Sequence, residues 1–208
     1  MSGDARRDSR TLAAVILLGI ANHSVLTGSR VIVSLNALSM GASPFTVGVL
    51  MALYALLPML LAVAVGRYSD RAGTRRPMLI GSTLVGVGAT LPFALPGMPA
   101  LFASALLLGV GFTTFQIAAQ NMTGQLGTGV ARAQNFSMLA LGYSISGFIG
   151  PLGAGFTIDH FGFRAAFAAF ALVPLVPVAV LASGRLAIPA RHAAGGSAHH
   201  GGGGSGRG

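Results

Sequence analysis

His23, Thr27, Arg30 and Ser34 stand at helical spacing inside a long apolar stretch near the N-terminus. At about 100 degrees per residue they fall within a sector of roughly 60 degrees, with Asn22 at its border. A guanidinium and an imidazole on one face suit an anionic group, and the guanidinium can grip a carboxylate or phosphate in a bidentate pair. The apolar remainder suits a drug-like or amphiphilic compound. Two plainer readings compete: Arg30 snorkels to an outer interface, and His23 is a packed histidine with its polar atoms satisfied. A second polar face, Thr113, Gln116 and Gln120, serves either a solute or hydrogen bonds between helices.

A second cluster is the turn at residues 66–77, which carries Arg67, Asp70, Arg71, Arg75 and Arg76. The 35 residues before it, from Val31, and the 55 from Pro77 onward hold no charge. Gly66 and Gly73 allow a tight turn, since glycine reaches positive φ without steric cost. Asp70, among four arginines, stays ionised and accepts hydrogen bonds from them. Arginines that only set orientation would not need an aspartate flanked by glycines. A third pattern places Gly142, Ser146, Gly150 and Ala154 at four-residue spacing. This is a ridge of small side chains that lets another helix approach, with Pro151 able to kink the helix beside it. Ordinary helix packing accounts for the same ridge.

The elements that position these residues are membrane helices. The chain has 208 residues, a hydrophobic fraction of 53% and a charged fraction of only 8%. Soluble domains are about 25% charged, so bilayer is the solvent. The net charge of +9 does not indicate nucleic acid, because the arginines sit in gaps between apolar segments. Cysteine is absent, which excludes disulfides and thiolate metal sites. His199 and His200 have no third ligand nearby, so no metal and no cofactor is expected, and no enzymatic activity. The first apolar stretch is too long for a signal peptide and reads as a retained span.

Six spans of about 20 residues are expected: 11–38, 44–65, 77–95, 99–121, 136–158 and 162–183. Arg6, Arg7, Arg10, Arg67, Arg71, Arg75, Arg76, Arg132, Arg185 and Arg191 lie at the N-terminus and after spans two, four and six. The connections after spans one, three and five hold no arginine, apart from Arg164 just inside span six. Lys and Arg accumulate on the cytoplasmic side, so both termini are expected in the cytoplasm of a multi-pass inner-membrane protein. Residues 1–10 form a cytoplasmic N-terminus, 11–185 the six-span domain, and 186–208 a Gly-rich tail expected to be disordered.

The turn reads Gly66-x-x-x-Asp70-Arg71-x-Gly73-Thr74-Arg75-Arg76, which resembles the signature loop of the major facilitator superfamily, with Thr74 where the family usually has Arg. The resemblance implies an all-α integral membrane fold, a six-helix bundle equivalent to one half of a twelve-span transporter. It also implies a cytoplasmic latch in which Asp70, Arg71 and Arg75 bind helix ends in the outward-facing state. The ridge from Gly142 to Ala154 is similar to the Gly-Pro motif of family exporters, with Ser146 and Ala154 in place of two glycines. The fourth span reads Ala105-Leu106-Leu107-Leu108-Gly109 where proton-coupled members carry Arg-x-x-Gln-Gly, and no Asp or Glu lies inside a span. The expected partners are the lipid bilayer, a small organic solute, and a second half-transporter or another copy of this chain. The alternative is a truncated, non-transporting fragment that at most associates with other membrane proteins.

Overall fold

The computed structural model describes residues 3–184. Its elements are α1 (Gly3–Ser39), α2 (Pro44–Ala72), α3 (Arg75–Ala94), α4 (Met98–Gln125), α5 (Gly129–Leu172) and α6 (Leu175–Ala182), with no strand among the described residues. Helices satisfy every backbone group within their own segment, as a lipid environment requires.

Five stretches among the described residues are long and apolar enough to cross a membrane. The last two of the six expected spans form one continuous stretch. The fifth stretch, Gly129–Ala182, runs for 54 residues, and the connection expected at residues 159–161 is helical. The interruption is a single residue, Gly162, at φ 80° and ψ 173°. Glycine takes this conformation at no steric cost, so a kink can form without a loop. α1 likewise begins at Gly3, so Arg6, Arg7 and Arg10 lie on helix rather than before it. Arg185, Arg191, His199, His200 and the tail lie outside the described residues.

Ser43 starts α2 by accepting a hydrogen bond from the Thr46 backbone N–H at 3.2 Å, with Pro44 at the first helical position, the arrangement that satisfies an orphan N–H and wastes none on proline. Pro58, Pro92 and Pro151 lie inside α2, α3 and α5. The most extensive packing is of α5 along α1 and of α3 along α4, followed by α2 on α4. The larger apolar cluster includes Val25, Ile32, Leu50, Leu108 and Phe167, and a second joins Val15, Met78, Phe115, Met122 and Leu181. Glycine sets the α3–α4 distance: a methyl group on Gly81 would lie 2.6 Å from the Gly111 carbonyl oxygen.

Candidate functional site

α1, α2 and α4 line an open cavity of about 400 Å³ whose lining includes His23, Arg30, Tyr54, Phe112, Thr113 and Gln116. Its wall depends on Gly109, where an added methyl group would stand 2.5 Å from the Tyr54 carbonyl oxygen. The glycine of the fourth span thus lets α4 meet α2. The Arg30 guanidinium carbon lies 5.3 Å from the centre of the Tyr54 ring, a cation–π distance. The Tyr54 hydroxyl donates to Ser29 Oγ at 3.3 Å, which holds the ring in place.

His23 has one nitrogen engaged. Its Nδ1 lies 2.6 Å from Ser146 Oγ on α5, and that hydroxyl donates to the Tyr143 carbonyl at 2.8 Å. A serine has one hydroxyl proton. With it committed to Tyr143, Nδ1–H donates to Ser146. Phe112 and Tyr143 flank the imidazole at centroid distances of 4.9 and 5.2 Å. His23 therefore lines the cavity and is also held by α5.

The other residues of the two polar faces go elsewhere. Asn22 is fully buried and donates to Ser82 Oγ on α3 at 3.0 Å and to the Leu18 carbonyl at 3.1 Å. Thr27 donates to the His23 carbonyl at 2.9 Å, with the Ser146 carbonyl at 3.3 Å. Ser34 donates to the Arg30 carbonyl of its own helix. Gln120 is exposed. None of these four lines the cavity that Arg30 and Gln116 share. A common helical sector fixes direction only to within a neighbour's width, and α3 and α5 press on α1 from its two flanks.

The small-residue ridge lies against α1. Gly142, Ser146, Gly150 and Ala154 are all buried. A methyl group on Gly142 would stand 2.9 Å from Ile16 Cγ2, and one on Gly150 would stand 2.5 Å from the Ser24 carbonyl oxygen and closer still to Thr27 Oγ1.

The charged turn ties together α2, α3, α4 and α6. Gly73 closes α2 at φ 75°. Arg75 donates through Nε (2.9 Å) and Nη2 (2.7 Å) to the Leu181 carbonyl, and through Nη2 to Ala182 at 3.1 Å. A guanidinium thus meets the open carbonyls at the end of α6, where the helix dipole is negative. Asn121 Nδ2 on α4 approaches Ser69 Oγ at 3.3 Å and Asp70 Oδ1 at 3.5 Å. Gly66 has open space around it, and Arg71 and Arg76 are exposed. Tyr54, Phe112, Tyr143 and Asn121 escape a reading of polar spacing alone. Scarcity was the available signal for two of them, since the chain has only three tyrosines.

The model of the Major Facilitator Superfamily matches residues 12–200. This chain belongs to the major facilitator superfamily. It is 34% identical over 112 residues to the class C tetracycline resistance protein of Escherichia coli, an alignment covering 52% of this chain and 27% of that protein. The class E protein of the same organism is 34% identical over 113 residues, with the same coverage. Among solved structures, a POT family transporter in complex with a thioalcohol-conjugated peptide superposes with a TM-score of 0.77 at 18% identity, over 86% of this chain and 38% of that one. The peptide transporter POT (E310Q mutant) gives 0.75 at 22% identity, over 85% of this chain and 38% of the other. These likenesses establish the fold. The chain spans well under half the length of these relatives. It is a multi-pass membrane protein of a transporter family.

Proposed function

We propose that this chain is a transporter module that moves a small organic solute by alternating access, with Arg30 engaging an anionic group of that solute. One observation carries the reading: His23, Arg30, Thr113 and Gln116, drawn from two helices, converge on one cavity of an otherwise apolar bundle. A guanidinium turned to lipid at that depth would cost a few kcal/mol, about 2.5 to 3.5 at a helix centre. A wet cavity removes most of that cost. In this reading the chain crosses the bilayer six times, with the sixth crossing starting at the Gly162 kink, and both termini are cytoplasmic. A second six-span half, or a second copy, closes the cavity. α2 is the least buried of the apolar stretches, and Leu56, Met59, Leu60 and Val63 are exposed on it, which leaves a face for that half. In the family such halves rock about a site near the midplane. The charged turn is the latch of this motion: Arg75 grips the end of α6, and Asp70 carries the switching charge.

The test is transport by a reconstituted, transport-competent assembly, with a solute panel of carboxylates, organophosphates, neutral analogues and tetracycline. Anionic members are expected to be moved preferentially. Arg30→Lys keeps the charge without the planar fork and should retain part of the activity, and Arg30→Gln should lose it. Parental transport by both variants would reduce Arg30 to an interfacial anchor.

A further inference from the structure

A second cavity, of about 360 Å³, lies away from the first, between α3 and the C-terminal helices. Its walls are Thr83, Gly86, Val87 and Thr90 of α3 facing Pro174 and Val178. The two threonines add little polarity. Thr83 Oγ1 donates to the Leu79 carbonyl at 2.9 Å and Thr90 Oγ1 to the Gly86 carbonyl at 2.8 Å, so each hydroxyl is spent within its own helix. Gly86 opens the wall: an added methyl group would sit 3.5 Å from Pro174 Cβ, and a larger side chain would fill the space.

One end of this groove points towards two arginines, Arg75 and Arg76. α3 and α6 run antiparallel there, so the N-terminus of α3 meets the C-terminus of α6, where Arg75 binds the Leu181 and Ala182 carbonyls. Arg76, the next residue, is exposed. It precedes Thr83 by seven residues, which puts both on one helix face, about 10 Å apart along the axis. An apolar groove that leads to an exposed guanidinium, with no partner among the described residues, matches an acyl chain joined to a phosphate. Basic pockets between membrane helices hold anionic lipid headgroups in this way.

We propose that the α3–α6 groove is a binding site for an anionic phospholipid, with one acyl chain lying along Thr83, Gly86, Val87 and Val178 and the phosphate on Arg76. Arg75 is committed to α6, so it steadies the helix end while Arg76 takes the lipid. Occupancy clamps α6 to α3 beside the charged turn, which links the composition of that leaflet to the turn's grip on the bundle.

The test is native mass spectrometry of the purified full chain, titrated with dioleoylphosphatidylglycerol, dioleoylphosphatidylcholine or glycerol 3-phosphate. The parent should retain phosphatidylglycerol about fivefold better than phosphatidylcholine, the ratio expected for one arginine at the headgroup, and should not retain glycerol 3-phosphate. Arg76→Gln should bring the ratio to about 1, and Arg76→Lys should keep most of it. Arg67→Gln, with the same change in net charge on the other side of the turn, should leave it unchanged. Gly86→Leu should lower the binding of both lipids. The proposal is overturned if the parent holds the two lipids equally, if Arg67→Gln and Arg76→Gln act alike, or if Gly86→Leu binds as the parent does. It is also overturned if the groove holds a second copy, seen as a dimer that Gly86→Leu dissociates without any lipid preference.

Discussion

At the residue scale the instructive pair is His23 and Ser146. Sequence spacing puts His23 on a polar face and Ser146 on a packing ridge, as two unrelated features. In the fold they meet at 2.6 Å, and the ridge serine sets the orientation of the cavity histidine. Ser146→Ala should free the ring while leaving the backbone approach intact. A double-mutant cycle of Ser146→Ala with His23→Asn, read by thermal unfolding in detergent, should give a coupling of about 0.6 kcal/mol, the usual size for a hydrogen bond between membrane helices. Additivity of the two changes would remove the bond from the account. Arg30, His23, Thr113 and Gln116, which line the cavity, stand out in the sequence because polar groups in an apolar helix are conspicuous. Spacing also gathers Asn22, Thr27 and Gln120, which neighbouring helices or solvent take up, because periodicity knows nothing of which helix stands on which flank. Tyr54 was missed for the opposite reason: beyond its scarcity nothing marks it in sequence, and its use depends on Arg30 crossing over it.

At the element scale the helices themselves were legible, since long apolar runs bounded by Pro, Gly and charge have few other solutions in lipid. The boundary between the last two was read at residues 159–161, one residue before the Gly162 kink, but as a loop. A single glycine at φ 80° leaves no loop-like composition to detect, and residues 159–161 are polar enough to suggest a loop while staying helical. The ridge on α5 makes a sharp prediction because two glycines three residues apart differ completely in surroundings. Gly150 is pressed against Ser24 and Thr27, while Gly147 has nothing within 4 Å of an added methyl group. Gly150→Val should destabilise the bundle by about 1–3 kcal/mol or more, the usual cost of overpacking, and Gly147→Ala should be nearly neutral. Equal melting temperatures for these two variants would mean that α1 and α5 do not meet here. At the end of α6, Arg75→Gln removes the guanidinium from the Leu181 and Ala182 carbonyls. Amide exchange in residues 175–182 should then rise relative to α4, and unchanged protection there would show that the contact holds nothing.

At the scale of the whole molecule, the arginine asymmetry predicts that reporters fused after Ser69 and after Met98 lie in the cytoplasm and outside, respectively, and the reverse pattern would invert the bundle. If the turn is the proposed latch, Asp70→Asn should cripple transport while leaving membrane insertion intact, because it removes a charge from the turn and no apolar surface. The central claim is that the Arg30 cavity opens alternately to the two sides of the membrane. The chain has no cysteine, so Thr113→Cys places a unique thiol in the cavity wall. The direct measurement is the labelling rate of that thiol by a membrane-impermeant maleimide, in right-side-out and in inside-out vesicles, with and without a transported solute. Labelling from both sides is expected, with solute moving the two rates in opposite directions. Labelling from one side only, at a rate indifferent to solute, would contradict the claim.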